Sequence, residues 1–229
     1  MSQSPMQKLA FLPVESNLFE KKYFSNYTTN NIPFKLSTAA LNFYLRRKYK
    51  SIPNVRQLAC NNYINIEIGG GETPKRKELG YINCDIRELP EVDVYCKAQD
   101  LRYHFKPLSV YTIYGRHFLE HLTWSEIFDF ISSAKTLLVD KGKLELVVPS
   151  LYFSFLQVAL HKVNSVAHIH GLAGLNGWQR DQNKSGYWDI HKSLFTHKII
   201  QELAIHANMS LRFYNSQPKE IHFTLTKNL

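Results

Sequence analysis

The chain has 229 residues, three of them cysteines, and a formal net charge of +9 at pH 7. That length suits one good-sized domain with a terminal extension, and 44% hydrophobic residues supply a continuous core. No apolar run approaches the roughly 18–20 residues that cross a bilayer. The opening segment lacks the basic-then-apolar pattern of a secretory signal, and Cys60, Cys84 and Cys96 fit neither a disulfide framework nor a metal finger. The expectation is a cytoplasmic protein without a membrane span.

Residues 1–60 read as a basic N-terminal arm or cap. From Lys21 to Ile66 there are eight Lys or Arg residues and no Asp or Glu. One helix is expected near 37–49. Leu36, Ala40, Leu41, Phe43 and Tyr44 form its apolar stripe, and Arg46, Arg47 and Lys48 crowd its last turn, where the helix dipole favours cations. Ser51-Ile-Pro53 stops it. Such a cluster attracts a polyanion, whether nucleic acid, a nucleotide-linked substrate or anionic lipid, or else it is a solvated face that aids solubility.

Residues 61–229 alternate short apolar strands with helical stretches. Tyr63–Ile68 reads as the first strand and runs into Gly69-Gly70-Gly71. A short helix is expected between Thr73-Pro74 and Gly80, followed by strands at Tyr81–Asp85, Val92–Tyr95 and Val110–Tyr114. Thr123-Trp-Ser-Glu126 has capping-box spacing and opens a helix that turns Ile127, Phe128, Phe130, Ile131, Ala134 and Leu137 to the core. A fifth strand covers Lys143–Val148. Then come a helix near 151–162, a long irregular lid-like insertion at about 164–190, a helix near 196–208, and strands near 210–214 and 220–226. The expected fold is α/β, Rossmann-like and doubly wound: a mainly parallel seven-stranded sheet with one antiparallel strand, plus the N-terminal helical arm. In such sheets ligands sit at the carboxyl ends of the strands.

The segment Glu67-Ile-Gly-Gly-Gly71 delivers an acid and then a glycine turn, at which a backbone can approach a ligand closely. The dinucleotide pattern G-x-G-x-x-G fails at Pro74, and no phosphate-loop G-K-[ST] follows. An acid with a glycine turn and no phosphate machinery suits a zwitterionic cofactor such as S-adenosylmethionine (SAM). Asp85, at the end of the second strand, is placed to accept ribose hydroxyls. Asp100-Leu101, after the third, are placed to read an adenine edge. Three acids at successive strand ends (Glu67, Asp85 and Asp100) are expected to form one site.

These segments resemble the class I SAM-dependent methyltransferases, and most of all small bacterial methyltransferase-like proteins. The similarity rests on Ile64–Gly71, Gly80-Tyr-Ile-Asn-Cys-Asp85, Asp100-Leu-Arg102, Phe118-Leu-Glu-His-Leu122, Lys141–Pro149 and the late His191-Lys192 … Phe195-Thr196. It spans about residues 62–215. The chain departs from the family at Thr73, where a further glycine sometimes stands, and at Asp140-Lys-Gly-Lys143, where Pro-Gly-Gly is usual. The resemblance implies that Glu67 and the run Gly69, Gly70 and Gly71 border the methionine part of SAM. It puts Asp85 and Ile86 at the ribose, Asp100 and Leu101 at the adenine, and Arg116 and His117 beside the sulfonium and the acceptor entry.

Methyl transfer from a sulfonium is an in-line displacement, so the protein mainly holds the acceptor and removes its proton where needed. The amine-directed N/D-P-P-Y pattern is absent after the fourth strand, where Tyr114-Gly-Arg-His-Phe118 stands instead. A histidine is the expected base because imidazole titrates near neutrality. His117 is first choice, with His121 and His191 next, ahead of His168 and His170. His168-Ile-His170 with His161 or Asp189 has no fixed third ligand, and no metal is assigned. In the insertion, Trp178, Tyr187 and Trp188 offer flat faces to a sugar or base, and Arg180 and Lys184 can meet a phosphate. The acceptor expected is a small molecule or glycan, modified at a hydroxyl, with a nucleotide-sugar or other anionic acceptor suited to the basic arm. RNA, or a non-catalytic module binding nucleic acid or a protein through the basic arm, is the alternative.

Overall fold

The computed structural model describes residues 63–178 and 189–228, apart from the side chains of 215–217. The arm, its helix near 37–49, and Arg180, Lys184, Tyr187 and Trp188 lie outside the described residues.

Seven strands form one sheet: β1 (Ile64–Ile68), β2 (Ile82–Asp85), β3 (Val94–Tyr95), β4 (Val110–Arg116), β5 (Leu138–Pro149), β6 (Met209–Gln217) and β7 (Glu220–Lys227). Their order across the sheet is β3-β2-β1-β4-β5-β7-β6. The first five pair in parallel, and β7 runs antiparallel to both β5 and β6. The short link from β6 to β7 imposes that reversal, since two adjacent strands joined by a tight turn cannot be parallel. The order turns back between β1 and β4, so the carboxyl ends of those strands leave a crevice.

Among the described residues the helices are α1 (Leu101–His104), α2 (Trp124–Leu137), α3 (Leu151–Leu160), α4 (Val166–Asn176) and α5 (His197–Ala207). The capping box opens α2: Thr123 Oγ1 accepts from the Glu126 N–H, and the Glu126 carboxylate accepts from the Thr123 N–H at 2.7 Å. Ile127, Phe130, Ala134 and Leu137 are fully buried there, and Ile200 and Leu203 of α5 join them in one core with Ile66, Ile113, Leu144 and Val148 of the sheet. Side chains alternate along a strand, so Tyr114 and Val147 lie on the opposite face. There Tyr81 joins them, and the Arg76 guanidinium lies 3.7 Å over the Tyr114 ring.

Two expected elements differ. Between Pro74 and Gly80 there is only a 3-10 turn, Lys77–Leu79, closed by left-handed Gly80. Six residues hardly repay helix nucleation, and the N–H groups a cap would satisfy go elsewhere: the Glu67 carboxylate accepts from Lys75 N and Arg76 N, both at 2.7 Å. The second difference is the stretch at 164–190, which is not irregular throughout. Ser165 caps α4 through its hydroxyl, which accepts from the His168 N–H. Gly171 and Gly174 hid this helix in the sequence, since each costs about 1 kcal/mol relative to Ala in a helix interior. Their purpose here is close approach. A Cβ on Gly171 would stand 2.7 Å from Gln157 Cβ, and one on Gly174 would collide with Ser154 of α3.

Candidate functional site

β1, β2 and β4 end at a cavity of about 730 Å³, lined by Ile68, Gly69, Asp85, Ile86, Arg87, residues 96–99, His117, Phe118, His121, Leu122, Glu126, Asp189 and Lys192. Pockets for cofactors typically span about 300–1,000 Å³. Gly69 makes its floor. Its φ is +73°, and an added Cβ would lie 2.6 Å from Phe118 Cβ, so only glycine lets the chain leave β1 this way.

On the β2 wall, Asp85 is 3% exposed. Its Oδ2 accepts from the Gly71 N–H at 3.0 Å, and its Oδ1 from Arg87 N and Nε at 2.9 and 3.0 Å. The Arg87 side chain is 45% exposed, so it can swing away and leave the carboxylate to another donor pair.

His117, which also lines the cavity, anchors a charge network. Just past β4, it adopts φ +51°. Its Nδ1 lies 3.2 Å from Glu120 Oε1 and its Nε2 3.2 Å from Glu220 Oε1. Two carboxylates require both nitrogens to donate, which makes the ring an imidazolium. Burial opposes that charge, but the hydrogen bonds to Glu120 and Glu220 outweigh it and push the pKa up to about 9. Glu220, at the start of β7, also accepts from Arg116 Nη2 at 3.1 Å and faces His222 Nε2 at 3.1 Å. Burial opposes its ionisation, yet the bonds to His117 and His222 hold it well below the usual carboxylate range.

His121 and His191 meet edge to face, their centroids 5.1 Å apart. His121 Nδ1 donates to Ile190 O at 3.1 Å and His191 Nδ1 to Gly174 O at 3.0 Å. A carbonyl only accepts, so each ring carries a proton on Nδ1, and in the neutral ring the lone pair lies on Nε2. Burial holds His191 below the ordinary imidazole range. The strand-like segment after Ile190 is fastened to the site by Lys192 N and Ser193 N, which both donate to Glu120 O.

No family model and no curated protein sequence matches the chain. Solved structures do match. A SAM dependent methyltransferase from Archaeoglobus fulgidus superposes with a TM-score of 0.52 at 15% identity, covering 93% of this chain and 100% of that one. The CurJ carbon methyltransferase superposes with a TM-score of 0.51 at 12% identity over 76% of this chain, which spans 51% of that protein. The chain has the fold of SAM-dependent methyltransferases.

Within that fold the residues singled out from sequence separate. Gly69, Asp85, Ile86, His117 and His121 line the cavity. Glu67 turns into the 75–76 backbone, Gly71 sits behind Asp85, and Gly70 packs between Asn83 and Pro74. The expected convergence of three acids is therefore not what the structure holds. Asp85 alone of the three lines the cavity: Leu101 is fully buried in the core, and Asp100 stands at the N-terminus of α1. The chain after β3 instead faces the cavity with Cys96, Lys97, Ala98 and Gln99, one turn earlier than expected. Arg116 points to Glu220, and Trp178 packs its edge on His170, 5.2 Å away. Sequence reasoning missed Arg87, Glu120 and Glu220. Glu120 carried a signal, since it precedes His121 in the Leu-Glu-His-Leu motif. Glu220 carried none.

Proposed function

We propose that this chain is a SAM-dependent methyltransferase acting on a hydroxyl of a small-molecule or glycan acceptor. The observation that carries the reading is the crevice itself: a left-handed glycine floor at the end of β1, with a buried acid at the end of the neighbouring β2. That pair fits the group. A bare backbone would admit the bulky sulfonium end, and Asp85 would accept two hydroxyls once Arg87 moved aside. Lys97, Ala98, Gln99 and Phe118 also line the cavity, and the first three would border the base.

Bound there, the cofactor supplies an activated methyl group that leaves a neutral thioether. The chain's own part is to hold the acceptor in line and take up its proton. His117 is a poor proton acceptor at neutral pH because both its nitrogens are already donating. The Nε2 lone pairs of His121, on the cavity wall, and of His191, behind it, are the basic groups that suit the step. An anionic acceptor would find Lys192 and the His117 imidazolium at the same mouth.

Calorimetric titration with SAM and its demethylated product tests the reading. Asp85→Ala should weaken both by about 1.5–3 kcal/mol, the range for a hydrogen bond to a charged group. A wild-type chain that ignores millimolar SAM would sink it. The Lys21–Arg56 cluster favours RNA as a second class of acceptor. In that case affinity for RNA should fall steeply with added salt, and a flat salt profile removes it.

A further inference from the structure

Glu120, His121 and His191 each place one donor atom within 4.8 Å of the other two. We infer that these three side chains form a binding site for a divalent first-row transition metal, of the zinc or manganese class, at the acceptor end of the cavity. Three observations support it independently of that spacing.

The first is an unsatisfied group. Glu120 is 1% exposed, and its Oε2 is buried without a hydrogen bond, although Oε1 is taken by His117. Leaving a buried carboxylate oxygen unpaired is costly, and native proteins generally give such an atom a partner. A cation between the rings would supply one.

The second is the tautomer. Both rings spend their Nδ1 proton on a backbone carbonyl, Ile190 O for His121 and Gly174 O for His191. Metal-ligating histidines are fixed in this way: the outer hydrogen bond sets the ring's orientation and frees the other nitrogen's lone pair for the ion. His191 Nε2 faces the same carboxylate, 4.0 Å from Glu120 Oε1.

The third is rigidity and access. The side chain of His191 is 8% exposed, and backbone bonds from Lys192 and Ser193 to Glu120 O lock its segment onto the Leu119–His121 turn. His121 faces the cavity. Two imidazoles and one carboxylate would leave coordination positions open on that side, as catalytic metal sites do. With the ion bound, the Nε2 lone pairs of His121 and His191 are no longer free to take a proton, and an acceptor oxygen entering there would instead bind the ion and lose its proton to solvent more readily. This assignment of a role rests on the methyltransferase reading, whereas the metal site itself does not.

Chelator-stripped, tag-free full chain should bind one zinc or manganese ion by calorimetry, and magnesium at least about tenfold more weakly because it prefers all-oxygen ligands. The double variant His121→Ala/His191→Ala, and Glu120→Gln alone, should each lose at least about tenfold in affinity. Circular dichroism of the same samples reports whether each variant is folded, and SAM is titrated separately into the wild type. Should the double variant fail to fold, cobalt(II) bound to the wild type decides: a strong visible absorption band of a four- or five-coordinate ion is expected, and its absence overturns the site. Wild type without a stoichiometric ion, or variants that bind it as tightly, overturn it too. Metal uptake without SAM binding would leave this site standing and sink the cofactor reading; SAM binding without metal uptake would do the reverse.

Discussion

On the β2 wall of the cavity one buried acid, Asp85, is matched by a half-exposed arginine from the next turn. On the β4–β7 wall two buried acids, Glu120 and Glu220, clamp a histidine between them, and Arg116 and His222 crowd the second acid. The first arrangement is built to exchange partners. Its cation is near water, so releasing it costs little. The second is more tightly tied, since two buried carboxylates share His117 and the second also holds Arg116 and His222, so no partner can leave without stranding a buried charge. One cavity is thus bordered by an exchangeable ion pair on one strand end and by a histidine anchored in a fixed network on another.

Breaking the fixed wall should cost most. Glu220→Ala would strand the charges of His117 and Arg116, and removal of one partner from a buried pair typically costs about 3–5 kcal/mol. Because Arg116 and His117 retain some contact with water, the low end of that range is expected from urea unfolding.

The floor between the walls should come next. Gly69→Ala forces a side chain into a left-handed backbone, worth about 1–3 kcal/mol, and also drives Cβ into the Phe118 side chain. Gly71→Ala shares the positive φ, but its Cβ meets only the far end of Arg87 at 2.6 Å. Gly69→Ala should therefore lower Tm more than Gly71→Ala, and equal losses would show that Phe118 yields.

A gentler probe is pH. His117 has an ordinary value of 6.5 and is raised to about 9 by its two carboxylates. Its contribution to stability is complete below about 6.5 and is lost as pH rises through about 9, because the folded state holds the proton longer. Urea unfolding at a series of pH values should show that decline in the wild type and a flatter profile in His117→Gln.

The smallest change belongs to the adaptable wall. Arg87→Ala removes a surface-facing partner worth about 0–1 kcal/mol, so stability should barely move. Affinity for SAM should rise a few-fold as Asp85 is released, and a fall would mean that Arg87 itself touches the ligand.

Much of this molecule was legible along the chain because the relevant forces are local. Alternating apolar residues with β-propensity marked the strands, and their alternation with helices marked a mainly parallel sheet. Thr123 and Glu126 are three residues apart and satisfy each other's backbone, so the start of α2 needed no tertiary information. The glycine turn after Ile68 announced a close approach, and Asp85 followed from its place at a strand end. α4 was hidden because two glycines lower its intrinsic helicity, and only the packing of α3 against them explains why they stand there.

Side-chain direction and long-range meeting were decided by the tertiary structure. Glu67 has the right position in the motif, but the 75–76 backbone claims its carboxylate before any ligand can. Leu101 is drawn into the core, which shifts the cavity lining back to 96–99. Arg116 and Glu220 stand 104 residues apart, and no periodicity or spacing links them until the antiparallel β7 is laid against β5. The sequence determined which elements form and where the chain bends, since propensity, caps and glycine act within a few residues. Which charges lose water together, and so which groups carry altered acidity, is a property of packing.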